Sequence, residues 1–218
     1  MTTFLVTGAN RGIGYELCRQ LQAAGDVIAV CRSSSPELDR LKVQVEADID
    51  IASDESVAQL AKRLQGVAID VLINNAGVAQ KNTLDDLDFD SIRQQFEVNA
   101  LGALRITQAL LPNLRAGAKI VLITSRMGSI ADNTSGSSYG YRMSKAALSM
   151  AGKSLAIDLQ PRQIAVAILH PGMVSTDMTR HSGIPAAESV RGILERIQQL
   201  NLQNSGTFWH ANGEELPW

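Results

Sequence analysis

Thr7-Gly8-Ala9-Asn10-Arg11-Gly12-Ile13-Gly14 is the stretch on which the fold turns. A short apolar run, Phe4–Thr7, leads into it, and a segment of helical period, Gly12–Ala24, leaves it. Strand, glycine turn and helix in immediate succession make a phosphate cradle. Gly8 permits a tight turn, while Gly12 and Gly14 let backbone approach a pyrophosphate and pack helix against strand. The helix N-terminus then offers unpaired N–H groups and the positive end of its dipole to the anion. The spacing is G-x-x-x-G-x-G rather than G-x-G-x-x-G, and a glycine turn alone would be weak. Its place between strand and helix gives it meaning.

Outward from that turn, short β-rich runs alternate with longer helical ones. Strands are predicted at Phe4–Thr7, Val27–Cys31, Lys42–Glu46, Ile69–Ile73, Ile120–Thr124, Ile164–Leu169 and Thr207–His210. Helices are predicted at Gly12–Ala24, Asp54–Leu64, Ser91–Leu114, Gly140–Leu159 and Ala186–Leu200. The strands are apolar on both faces, as a parallel sheet covered on each side requires. The expected fold is therefore α/β: a Rossmann-type, doubly wound parallel sheet of about seven strands in three α/β/α layers. Without a linker-like segment, residues 1–218 read as a single dinucleotide-binding domain. Ligands should bind at the carboxyl ends of its strands.

Composition excludes several classes. Twenty basic residues against 22 acidic give a net charge of -2, with no basic stripe, which argues against nucleic acid or an anionic membrane as partner. Apolar runs of about five residues fall far short of the ~20 that span a bilayer. Met1–Val6 lacks the charged start of a signal peptide. Cys18 and Cys31, in a predicted helix and a predicted strand, read as reduced core thiols rather than a disulfide or metal site. A cytoplasmic protein without a metal is the expectation.

The second strand ends in Val30-Cys31-Arg32-Ser33-Ser34. Dinucleotide folds that take NAD place an acid there for the ribose 2′-hydroxyl. Here the acid is missing, and Arg32 can fork onto a 2′-phosphate, with Arg11 of the glycine loop reaching the same group. A single solvent-facing arginine would mean little. Two converging on one phosphate favour NADP(H) over NAD(H).

Tyr141 and Lys145 stand four residues apart on one face of a helix. A phenol there can donate a proton to a carbonyl oxygen, but a free tyrosine titrates near pH ~10. Lowering that by about three units needs roughly 4 kcal/mol. An ammonium about 4 Å away supplies ~1 kcal/mol in water and ~4 at an effective dielectric near 20. The pair works so only in a water-poor pocket. Elsewhere such a pair is a surface ornament. Ser125, delivered by the strand Ile120–Thr124, can hydrogen-bond a substrate oxygen. Thr124, Ser129, Ser137 and Ser138 are rival hydroxyls, and position alone does not choose among them.

Four motifs in order make the chain resemble the short-chain dehydrogenase/reductase family. They are the glycine loop Thr7–Gly14, Asn74-Asn75-Ala76-Gly77, Tyr141-Arg142-Met143-Ser144-Lys145 and Pro171-Gly172-Met173-Val174-Ser175-Thr176. The resemblance implies that Tyr141 is the acid/base and that Lys145 holds the ribose and depresses the phenol pKa. It assigns the carbonyl oxygen to Ser125, three residues before Gly128, and gives Asn99 a water leading from Lys145 to solvent. It also implies a cofactor lining of Gly8, Asn10, Arg11, Gly12, Ile13 and Gly14. Arg32, with Asp48 and Ile49 at the adenine, continues that lining, as do Asn75, Ala76 and Gly77. Pro171 and Gly172 follow, then Val174 and Thr176 at the nicotinamide amide. A small-molecule carbonyl substrate and a homodimer or homotetramer complete what it implies.

Two features depart from the common pattern. Ser125 and Tyr141 are sixteen residues apart, and the insert Asp132–Ser138 resembles the subgroup of Sniffer-like carbonyl reductases and C-factor-like proteins. The substrate loop, around 177–186, is short and implies an open cleft. The expected function is NADPH-dependent reduction of aldehydes or ketones. The alternative is an NAD(P)-binding signalling module with little turnover.

Overall fold

A computed structural model describes residues 1–218. In chain order it runs β1 (Thr2–Thr7), α1 (Gly12–Leu21), β2 (Gly25–Val30), α2 (Pro36–Asp39), β3 (Gln44–Glu46), α3 (Asp54–Arg63) and β4 (Ile69–Asn74). It continues with α4 (Phe89–Phe96), α5 (Gly102–Ala109), β5 (Leu114–Ile123), α6 (Tyr139–Asp158), β6 (Ala165–His170), α7 (Ala186–Gln199) and β7 (Phe208–His210). The strands form one parallel sheet in the order β3-β2-β1-β4-β5-β6-β7. The order reverses between β1 and β4, which opens a crevice at their carboxyl ends.

Alternate residues of each strand feed two cores. Leu5, Ile28, Leu72, Ile120, Leu122 and Val166 face α3, α5 and α6. Val6, Ala29, Ile73, Val121, Ala167 and Leu169 face α1 and α7. This two-sided burial is why the strands carry no polar face. Cys18 and Cys31 are free thiols in the second core, and burial pushes Cys18 up to about 12. No helix is long and apolar enough to cross a membrane.

The predicted helix Ser91–Leu114 needs correction. It is wound as α4, a π-turn over Glu97–Leu101, and α5, and it ends at Ala109. Pro112 cannot continue a helix, and Leu114 already pairs with Ile69. β5 thus starts six residues earlier than its apolar half, Ile120–Thr124, suggests. Its first half, Arg115-Ala116-Gly117, is exposed and polar or small, so it lacks a strand's usual pattern. A register shift between Ile69 and Val71 joins the two halves. The sequence reading also missed the single turn α2, which Ser35 caps by accepting from the Leu38 N–H.

Candidate active site

At the phosphate end, the glycine loop is stitched to the end of β4. The Thr7 hydroxyl accepts from the N–H groups of Asn75 (3.0 Å) and Ala76 (3.1 Å), and Asn75 Nδ2 donates to the Thr7 carbonyl (2.9 Å). Gly8 has φ +67°, and a Cβ there would lie 2.8 Å from the Ala76 Cα. Only glycine fits. The helix α1 begins after Arg11, whose side chain caps nothing, so the first-turn N–H groups stay open to an anion. The Asn10 carbonyl accepts from Ser35 Oγ (2.9 Å), which ties this loop to the turn after β2. Ile13 packs beside the α1 core.

Arg32 is exposed at the end of β2 and makes no ion pair within reach, while the Asp48 N–H donates to its carbonyl (3.2 Å). Asp48 is exposed and left-handed (φ 62°). Arg11 does not converge with Arg32 as expected. It crosses the crevice to Asp177, with Nη1 3.5 Å from Oδ2 and both side chains largely exposed. Two further residues of the expected lining have buried side chains. Ile49, 1% exposed, packs its side chain in the first core, so a cofactor contact there falls to its backbone. Val174, 2% exposed, is likewise a packing residue, bridged to Ile184. Thr176 sets its methyl against Gly12, where a Cβ would meet it at 3.3 Å, so the short loop already touches the glycine loop. Gly172 adopts φ +87°, and the Pro171 carbonyl accepts from Ser189 Oγ (2.6 Å) on α7.

At the other end, four elements bring the reacting groups together. Tyr141 and Lys145 lie on the first two turns of α6, with Lys145 Nζ 5.8 Å from the phenol ring centroid. Lys145 is 3% exposed and donates to the Ile123 carbonyl (2.8 Å). Gly77 brings the β4 loop against it: a Cβ there would lie 3.3 Å from Nζ and 3.2 Å from Asn99 Oδ1. Ser125, 7% exposed, lies close enough to the Tyr141 phenol to favour its ionised form, and its hydroxyl accepts from the Met127 N–H (3.1 Å). Of the rival hydroxyls, Thr124 Oγ1 is engaged, donating to the Lys145 carbonyl (3.1 Å), whereas Ser129 accepts from the Asp132 N–H much as Ser125 does from Met127, and Ser137 and Ser138 precede α6. Tyr139 opens the helix with its ring 37% exposed.

The electrostatics run against the simple picture of an ammonium acidifying a phenol. Burial pushes the Tyr141 phenol above its ordinary value, and the Ser125 hydrogen bond pulls it back only in part. Burial pushes Lys145 down to about 8. The protein alone therefore keeps Tyr141 protonated at neutral pH. Asn99 lies in the π-turn, which accounts for the break in the helix, and it is fully buried. Its Oδ1 accepts from the Val78 N–H (2.8 Å), and its Nδ2 donates to the Val78 carbonyl (2.8 Å) and Ser144 Oγ (2.9 Å). Ser144 then donates to the Tyr141 carbonyl (2.9 Å). Asn99 thus acts on this site through Ser144 and the β4 loop.

Sequence reasoning missed the residues that tie down the insert between Ser125 and Tyr141. Arg142 pins the insert by donating to the Gly136 carbonyl (3.0 Å), Ser135 Oγ (2.8 Å) and the Met127 carbonyl (3.3 Å). Arg126 is 3.1 Å from Asp132 and 2.8 Å from Glu214, which joins the insert to the C-terminal tail. The Ala131 N–H donates to the Trp218 carbonyl (2.9 Å). Their only signal was an arginine directly after Ser125 and another directly after Tyr141.

Comparison with known proteins agrees with this geometry. The family model described as short chain dehydrogenase matches residues 2–185. The chain is 43% identical to 1-hydroxy-2-glutathionyl-2-methyl-3-butene dehydrogenase of Rhodococcus sp. (strain AD45) over the full length of both. It is 50% identical to C-signal of Myxococcus xanthus over 154 residues, 69% of this chain and 93% of that protein. Among solved structures, the carbonyl reductase Sniffer of D. melanogaster superposes with TM-score 0.92 at 28% identity over all of both chains. The NADPH-bound carbonyl reductase from chicken fatty liver superposes with TM-score 0.90 at 30% identity, over 100% of this chain and 99% of that one. The sheet order, the four motifs and these likenesses agree: the chain belongs to the short-chain dehydrogenase/reductase family of oxidoreductases.

Proposed function

We propose that the protein reduces aldehyde or ketone groups of small molecules with NADPH, with Tyr141 as the general acid. The observation that carries this reading is a phenol that burial keeps protonated, beside the buried Ser125 and with the Lys145 ammonium 5.8 Å from its ring, at the carboxyl edge of the sheet. The crevice fits a dinucleotide: the α1 N-terminus is uncapped, and the glycine cradle leaves no room for a Cβ at Gly8. NADPH is favoured because Arg32 stands unpaired where an acid would greet a ribose 2′-hydroxyl. A related carbonyl reductase is described as NADPH-bound.

When bound, the nicotinamide supplies hydride to the carbonyl carbon. Ser125 donates to the carbonyl oxygen and orients it. Tyr141 gives that oxygen its proton, and the transfer needs no prior ionisation of the phenol. Lys145, titrating near 8, holds a positive charge at neutral pH beside the phenolate that remains and stabilises it until it regains a proton from solvent. The name of the Rhodococcus relative, a dehydrogenase of a glutathionyl alcohol, adds thioether alcohols to the substrates for the reverse direction.

An aldehyde and quinone panel, plus a glutathione-conjugated alcohol with NADP, tests this by cofactor absorbance. Tyr141→Phe is expected to lose about 10²- to 10⁴-fold in turnover while NADPH still binds. Full activity in that variant on every substrate ends the assignment. The 50% identity to C-signal supports a second reading, a nucleotide-binding signalling module. NADPH binding without turnover of any panel member selects it.

A further inference from the structure

The catalytic helix begins on a backbone that cannot cap itself. Ser137 and Ser138, the two residues before α6, are both left-handed, at φ 58° and 50°. L-residues hold that conformation only where their surroundings over-determine it. Ser138 sits at the N-cap position, and its hydroxyl accepts nothing from the first turn. The residue that does so lies more than fifty positions upstream.

Asn82 belongs to the loop after β4 and is 4% exposed. Its Oδ1 accepts from the Tyr139 N–H (2.9 Å), and its backbone carbonyl accepts from the Ser138 N–H (2.7 Å). One residue thus grips two successive amides, two positions ahead of Tyr141. The loop that carries it is itself held at alternate residues by buried amides. Val78 exchanges two hydrogen bonds with Asn99, and the Gln80 N–H donates to Gln95 Oε1 (3.0 Å). Ser91 Oγ donates to Gln80 Oε1 (2.5 Å). The same loop begins at Asn75–Gly77, against the glycine loop and Lys145.

The geometry points to Asn82 as a positioning residue for Tyr141: it caps α6 from a distant loop and so places the phenol relative to the crevice floor. This rests on the reductase reading proposed above. A displacement of the phenol by about 1 Å is enough to cost on the order of 10²-fold in rate. The Asn82 Nδ2 is buried without a protein partner, so the accepting oxygen is what matters. Aspartate keeps that oxygen and adds a negative charge at a helix N-terminus, where it is favourable.

The experiment compares Asn82→Leu and Asn82→Asp in kcat, KM for NADPH, and hydrogen exchange at the Tyr139 amide. For Asn82→Leu, kcat should fall about 10- to 100-fold while KM for NADPH stays within about twofold, and the Tyr139 amide should exchange faster. Asn82→Asp should recover kcat to within a few-fold. The proposal is overturned by an Asn82→Leu kcat near wild type, by a rise in KM matching the loss in kcat, or by an aspartate variant as impaired as leucine. If wild-type protein binds NADPH but turns over nothing, the reductase reading fails by itself. The clamp is then judged on exchange, where an unchanged Tyr139 amide in Asn82→Leu overturns it.

Discussion

The two ends of the crevice are built on opposite principles. At the phosphate end, Arg11 and Arg32 are exposed, around a glycine turn that Asn75 and Thr176 meet from far along the chain. At the reacting end, Ser125, Lys145 and Asn99 are buried and arrive from three elements far apart along the chain. Exposed charges are screened by solvent and cheap to rearrange, so they tune affinity. Buried groups cost free energy to hold and can be tuned far from their ordinary ionisation, so they serve chemistry. One end selects a ligand; the other acts on it.

Lys145 shows what the second kind of site costs. Its pKa is pulled from 10.5 to about 8, which corresponds to roughly 3 kcal/mol against the charged form in the fold. The folded value lies below the unfolded one for a base, so this penalty is fully present below about pH 8. It is relieved as pH rises from about 8 towards 10.5. Lys145→Met should therefore stabilise the protein at neutral pH by up to about 3 kcal/mol, with the gain shrinking in that alkaline window, while turnover is lost. Chemical denaturation at pH 7 and at pH 10 measures it. A destabilised variant at pH 7 would mean that the ammonium is compensated in the fold.

Arg32→Ala tests the opposite end, where a smaller effect is expected. NADPH affinity should fall about 10-fold, the usual range for one charge-assisted contact, and NADH affinity should not move. Equal losses for both would remove the 2′-phosphate role. The smallest effect belongs to the Arg11–Asp177 pair, which spans the crevice between two exposed side chains. Asp177→Asn frees Arg11 for the cofactor, so NADPH should bind up to about threefold tighter at low salt, with the difference vanishing at high salt. Titration at two ionic strengths decides. A tenfold gain that persists in salt would show that the two ends are not so differently built.

The phosphate end was readable because its grammar is local. Gly8 must be glycine for the backbone behind it, and strand, turn and helix follow within a dozen residues. The reacting end was readable only in part. The Tyr141–Lys145 spacing is helical geometry, but its first inference, a phenol acidified by its neighbour, reversed once burial was known. Ser125 could not be separated from Thr124 in the sequence, and only the fold shows the Thr124 hydroxyl engaged by the Lys145 carbonyl. Leu110, Leu111 and Leu114 repeat at helical spacing, so the sequence hid the point where α5 stops and β5 begins. Arg11 had two anionic destinations, a phosphate and the Asp177 carboxylate, and spacing named only one.

From the amino-acid order alone came the parallel α/β architecture, the glycine cradle, the absence of an acid after β2 and the tyrosine–lysine pair. Each of these depends on residues within one or two turns of each other. The tertiary structure alone revealed the burial that shifts Tyr141 and Lys145, the ties among Arg126, Arg142, the insert and the tail, and the grip of Asn82 on α6. Those depend on desolvation and on partners some fifteen to ninety residues away, and burial has no expression in a linear pattern until the chain has closed on itself.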